Sequence, residues 1–176
     1  MKITVRWLCG AVLALLAAST LVSAHHSNAV VDKDKLYTIA GDVTRWAFVN
    51  PHVAIYWKGE NPKGETINWY ASAAPPSFYT KLGWNNKSFK PGDRVLVQGH
   101  PMRDGTPLMQ FQSIYRCTTG EAMQTDAGNV DEYRTRVKMV KLTVDTVKRL
   151  CASGKLVEGE MDENGHVTKS AQSAQR

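Results

Sequence analysis

The chain reads as mainly β: a small five-stranded, OB-like barrel with a short helix between strands 3 and 4, plus an appended C-terminal helix. Three features predict this. Three β-rich runs succeed one another between Leu36 and Ala71. A proline-led helical turn follows at Pro75-Pro76-Ser77, and two further runs flank Arg103-Asp104-Gly105. Three meandering strands, a helix and a hairpin is the element order of an OB-type barrel, with an incomplete sandwich as the alternative.

The first strand spans Leu36 to Phe48. Tyr37, Ile39, Val43 and Arg45 fall on one side, and Thr38, Asp42, Thr44 and Trp46 on the other. Gly41 interrupts the run, and a glycine inside a strand marks a bulge or sharp bend. Asn50-Pro51 ends the ladder, because proline has no N–H to donate. Val53 to Trp57 forms the second strand, and the Gly-, Pro- and Asn-dense stretch Lys58 to Glu65 turns into the third, Thr66 to Ala71. Pro75-Pro76 suits a first helical turn. Phe78, Tyr79 and Leu82 give that helix an apolar side, and Gly83 stops it. Lys90-Pro91-Gly92-Asp93 turns into a fourth strand, Arg94 to His100, with Val95 and Val97 opposed to Leu96. The fifth strand, Leu108 to Arg116, offers Met109, Phe111 and Ile114 to the core.

From Cys117 to Gly128 the chain is a polar linker. The period then changes: Tyr133, Val137, Val140, Val144, Val147 and Cys151 step by four and three, one stripe of a helix over 129–153. Asn129 with Glu132 resembles a capping box, and Gly154 supplies a stop. A strand over Val137 to Val144 is the alternative, since valine and threonine lower helix propensity. Residues 154–176 read as a polar, disordered tail, with one weak hairpin signal at Asp162-Glu163-Asn164-Gly165.

The ends of the chain set its compartment. A basic start, an apolar run from Leu8 to Leu16 and the small residues of Val22-Ser23-Ala24 spell a secretory signal peptide over 1–24, with a retained anchor as the alternative. Cleavage after Ala24 makes His25 the first residue of an extended arm, 25–35, ahead of the barrel domain, 36–117. No later stretch is long enough to cross a bilayer as a helix. The expected product is periplasmic or secreted and bacterial, with a periplasmic protein as a possible partner. Of 22 Lys and Arg, loss of Lys2 and Arg6 leaves 20 against 16 Asp and Glu, a net charge of +4 in place of +6. The basic residues are scattered, which argues against nucleic acid as a partner. After cleavage Cys117 and Cys151 remain, and an even count in an oxidising compartment predicts a disulfide, with two free buried thiols as the alternative. Such a bridge closes a loop of about 34 residues and stabilises by about 3–4 kcal/mol on the chain-entropy view.

Several short motifs occur in one order: Ala24-His25-His26-Ser27, Gly41-Asp42-Val43-Thr44 into Asn50-Pro51-His52, Trp69, Leu82-Gly83-Trp84, Lys90-Pro91-Gly92-Asp93-Arg94-Val95, and Gly99 to Pro101 into Arg103-Asp104-Gly105. Together they resemble a widespread family of small bacterial secreted proteins known only as a domain of unknown function. The resemblance runs from Ala24 to about Ile114. Two departures stand out: Phe48 replaces the tryptophan usual just ahead of N-P-H, and the stretch after Cys117 is an addition. The resemblance implies a signal peptide and a small β domain, and no activity.

The candidate chemistry is therefore argued from residues. A chain beginning at His25 carries an α-amine and an imidazole in one residue, and one more imidazole completes a three-nitrogen site suited to Cu(II). His26 and His52 are the candidates for that ligand, so the predicted metal set is His25, His26 and His52, with copper as the cofactor. Met102 and Met109, near His100, carry thioethers that favour Cu(I), although methionine more often fills core gaps. Against the metal stands a solvated arm, with His52 merely capping its turn. The chain has no G-x-S-x-G, no H-E-x-x-H and no Cys–His pairing if the cysteines are bridged, so an enzyme is not the expectation. Asp42, Asp93 and Asp104 sit at turns, where backbone hydrogen bonding explains them. The alternative is a metal-free interaction module using Trp57, Trp69, Tyr56 and Tyr70 on strands 2 and 3, the ligand-binding face of OB-type barrels. Two of these four must point inward.

Overall fold

The computed structural model describes residues 30–124 and 140–169. The expected signal peptide, His25, His26, and the linker and helix-start positions from 125 to 139, including Asn129, Glu132, Tyr133 and Val137, lie outside the described residues. The elements in order are β1 (Tyr37–Phe48), β2 (Val53–Glu60), β3 (Thr66–Ser72), α1 (Pro76–Thr80), β4 (Arg94–Pro101), β5 (Leu108–Arg116), β6 (Ala122–Gln124), α2 (Val144–Ser153), β7 (Val157–Glu158), β8 (Glu160–Met161) and β9 (Val167–Lys169).

The first five strands close into a barrel. β1 pairs antiparallel with both β2 and β4, β2 with β3, and β4 with β5, while β3 and β5 run parallel and seal the ring. This is the predicted OB-like order. β1 serves two neighbours by changing partner along its length: residues 37–42 pair with β4 and 41–48 with β2. The register shift lies between Val43 and Arg45, so Thr44 carries the bulge. The expectation that Gly41 bends the strand, with Val43 and Arg45 on one side, is corrected accordingly: Val43 is buried, Arg45 is exposed, and Trp46 packs against the core.

Gly41 has another job. It pairs with Gly59, and a Cβ at Gly41 would overlap the Lys58 carbonyl oxygen and the Trp57 indole. A Cβ at Gly59 would lie 2.6 Å from Ile39 Cγ2 and 3.0 Å from Trp57 Nε1. The two glycines face each other to admit one indole, and Trp57 is fully buried as a result. Around it the barrel core collects Ile39, Val43, Val53, Ile55, Trp69, Ala71, Val95, Val97, Met109, Phe111 and Ile114. α1 seals the open side: Pro76 sits in its first turn and Tyr79 is fully buried, while Leu82, expected on the apolar side, is exposed.

A second core lies outside the barrel. Ala40, Leu96 and Tyr115 point away from the interior and are covered by Leu142, Val147, Leu150, Cys151 and Met161. β4 thus buries both faces. The predicted disulfide Cys117–Cys151 is present, with a Cα–Cα distance of 5.9 Å, and clamps α2 to the end of β5. Arg94 reinforces the clamp, donating to Asp42 Oδ1 at 3.1 Å and to the Cys151 carbonyl at 3.2 Å.

The C-terminal helix is shorter than its sequence stripe suggests. It starts at Val144, where Thr143 Oγ1 accepts the Thr146 N–H at 3.2 Å, and stops at Gly154, whose φ is 67°. Residues 140–143 are not helical, because Leu142 is drawn into the outer core and its N–H reaches the Tyr115 hydroxyl at 3.4 Å. Val147 and Cys151 are buried as the stripe requires, but Val144 and Val140 are exposed; Thr146 and Leu150 complete the packed face. The disordered tail expected from 154 is corrected as far as Lys169. β7 pairs with the start of β1, β8 and β9 form a hairpin about the Asp162–Gly165 turn, and Met161 is buried. The polar linker likewise hides β6, which pairs with β5 and buries Met123 in the barrel core.

Candidate functional site

His52 is held by the connection that follows the cis Asn50–Pro51 bond, just ahead of β2. The adjacent backbone is tied to the end of β3, where Val53 N–H donates to the Ala74 carbonyl at 3.1 Å and Ala73 N–H to the Val53 carbonyl at 2.8 Å. The ring is exposed, and its Nδ1 lies 3.0 Å from the Ala73 carbonyl oxygen. A carbonyl only accepts, so Nδ1 carries the proton and donates. In the neutral ring Nε2 then holds the free lone pair, the state a metal ligand needs.

The described part of the arm is anchored through a backbone strip on the β4–β5 turn. Val31 bridges to Met102 in antiparallel sense, Asp32 N–H donates to the Pro101 carbonyl at 2.8 Å, and Arg103 N–H to the Val30 carbonyl at 2.9 Å. Val31 is buried and Val30 exposed. Arg103 faces two arm carboxylates, Asp32 at 3.6 Å and Asp34 at 3.8 Å. The turn is itself fixed: Asp104 Oδ1 accepts the Thr106 N–H at 2.9 Å, which holds the Asp104 carboxyl below its usual range, and Gly105 has a φ of 78°. The turn leans on β3, where Tyr70 N–H donates to the Pro107 carbonyl at 3.0 Å.

His100 is half-buried beneath the arm, and its Nδ1 donates to the Lys35 carbonyl at 2.7 Å. Burial pushes its pKa down and the Lys33 charge adds to this, opposed by the bond to Lys35 and by Glu160 and Asp32. Met109 is fully buried and Met102 half-buried, so Met109 is core and not a ligand. Among the described residues no three His, Cys, Asp or Glu side chains converge on one metal position.

The four aromatic candidates divide in pairs. Trp57 and Trp69 are corrected to core: both are buried, stacked at 6.2 Å, and their indole N–H groups have no hydrogen-bond partner among the described residues. Tyr56 and Tyr70 are half-buried on the outer face, 4.9 Å apart, with the Arg45 guanidinium 5.3 Å from the Tyr56 ring. Sequence reasoning missed Arg45, because only the bulge at Thr44 turns it onto that face. It also missed Arg103, whose motif reads as a turn and nothing more. A shallow cleft of about 400 Å³ beside α1, lined by Trp84, Lys87, Arg116 and Glu121, is committed internally: Arg116 pairs with Glu121 at 2.9 Å and lies over Phe89 and Trp84. No helix among the described residues is long and apolar enough to cross a membrane.

Residues 12–109 match the family of unknown function DUF6152, more than half of the chain, and the protein belongs to that family. The match ends as β5 begins, so most of β5 and the whole outer-core extension lie beyond it. No curated protein matches the chain.

Proposed function

We propose that this member of the DUF6152 family is an exported copper-binding protein whose ligands are His25, His26 and His52, joined by the α-amine of a chain cut after Ala24. The observation that supports the reading is the state of His52. Ligating histidines almost always donate their second ring N–H to a fixed acceptor, and His52 already does so to Ala73, with its other nitrogen open. An α-amine with a pKa near 8 and neutral imidazoles together make a nitrogen set that suits Cu(II).

Copper titration of the chain starting at His25, beside His52→Ala and a chain carrying one extra N-terminal residue, tests the reading. The expected result is one Cu(II) per native chain, held at least tenfold more weakly by either variant. Equal affinity in all three overturns it.

A second reading has its own observation. The outward pair Tyr56 and Tyr70, with Arg45 over Tyr56, leaves aromatic faces and a cation on β1–β3. That arrangement suits a metal-free binding module that stacks a planar or sugar-like ligand. Equal and weak copper binding by all three chains favours this alternative.

A further inference from the structure

We propose that the outward face of β1–β3 is a subsite for an acidic oligosaccharide, in which Tyr70 stacks a sugar ring and Arg45 holds its carboxylate. The proposal rests on the metal-free reading and gives that reading its ligand class.

Strand register lays this surface out in rows. Val43, Trp57 and Trp69 pair across the strands and belong to the interior, so the next row faces outward. In it Arg45 stands opposite Tyr56, and Tyr56 opposite Tyr70. Two residues further along, Ala47, Ala54 and Ser72 form another outward row. Their side chains are small, so the two tyrosines rise beside a low floor. Lys58 and Asn68 make the row on the other side of that ridge. Rows run across the strands, so a chain-like ligand lying on the floor meets β1, β2 and β3 in turn.

The face combines aromatic rings with phenol, amide and hydroxyl groups. A sugar needs both kinds of contact, a ring to stack on and partners for its hydroxyls. The two tyrosine rings lie 4.9 Å apart, and the Arg45 guanidinium lies 5.3 Å from the Tyr56 ring. Because β1 and β3 flank β2, Arg45 and Tyr70 lie on opposite sides of Tyr56. Tyr56 therefore holds the cation, and Tyr70 is the stacking platform.

Charge selects the acidic class. Arg45 and Lys58 have no ion-pair partner among the described residues. The neighbouring acids are committed: Asp42, opposite Lys58, pairs with Arg94 at 3.1 Å, and Glu60 Oε1 accepts the Leu156 N–H at 3.2 Å. A guanidinium grips a carboxylate through two parallel N–H donors, a contact that a neutral sugar does not offer.

The test is an NMR titration of the metal-free protein, in chelator, with trigalacturonate, its methyl ester and triglutamate. Trigalacturonate is expected to shift the Tyr56, Tyr70 and Ser72 amides and to bind about tenfold more tightly than the other two. Arg45→Gln should weaken trigalacturonate to the level of the ester, and Arg45→Lys should recover part of the loss. Tyr70→Ala should weaken acid and ester alike, about fivefold, with the Leu96 and Val97 amides of β4 unshifted as the sign of an intact fold. Equal binding of acid and ester at this face, or no effect from Arg45→Gln, overturns the acidic class and leaves the metal-free sugar module standing. Equal binding of trigalacturonate and triglutamate overturns the sugar assignment. No shift on β1–β3 with any probe overturns the proposal together with the reading beneath it.

Discussion

The barrel interior and the outer core are built from the same strands by different means. The interior is closed on itself: five strands, one sealing helix turn and an indole that fits because Gly41 and Gly59 give way to it. The outer core is assembled from the opposite faces of β1, β4 and β5 with residues that come later in the chain, and it is held by one covalent bridge and one cap. The difference teaches that β4 belongs to two hydrophobic units at once, Val95 and Val97 to one and Leu96 to the other. Damage to the interior should therefore reach the outer core, whereas damage to the outer core should leave most of the interior standing.

The sharpest way to break this contrast is in the interior. Trp57→Ala removes the largest fully buried side chain, and a loss of about 4 kcal/mol is expected in urea unfolding, with all regions unfolding together. Next comes the bridge. Replacing Cys117 and Cys151 by serine should cost about 3 kcal/mol, and hydrogen exchange should rise in α2 well before it rises in β2 and β3. If the two regions exchange alike, they are one unit and the contrast fails. Thr143→Ala removes the cap of α2 and should cost about 1 kcal/mol, read as a small fall in the unfolding midpoint.

The smallest effect is the pH dependence of His100, which touches the arm and neither core's centre. Its folded pKa lies below the unfolded value of 6.5, because burial disfavours the charged ring. The unfolded chain therefore binds more protons as the pH drops, and stability rises with pH through this window. The contribution of neutral His100 is fully present above about 6.5 and is lost as pH falls toward the folded pKa. Stability measured from pH 7.5 to 5 should decline less steeply in His100→Gln than in the unaltered chain.

What the sequence made legible follows the same division. Alternation in β2 and β3 separates Trp57 and Trp69 from Tyr56 and Tyr70, although it cannot say which pair is inside. Leu96 between Val95 and Val97 reads as the wrong side of a half-buried strand, until something apolar is known to cover it. The bulge at Thr44 had no glycine to announce it, so the facing of Arg45 and Trp46 was hidden. The valine stripe does not mark the start of α2 at Val144, because Leu142 just ahead of it is drawn into the outer core. At the candidate site, His52 was visible as a turn histidine. Its orientation depends on Ala73, a contact across twenty residues of chain that no local pattern encodes.

The short β7 strand has a consequence for how the two ends of the protein act on each other. Val157 and Glu158 pair with Thr38 and Tyr37, Gly159 N–H caps the Leu36 carbonyl at 2.8 Å, and Glu158 faces Lys35 at 3.8 Å. The late residues thus latch the point where the arm enters the barrel. A protease cut just after Gly154 would loosen the strand that holds the start of β1 and Lys35 beside it, so trimming one end of this molecule should be felt at the other.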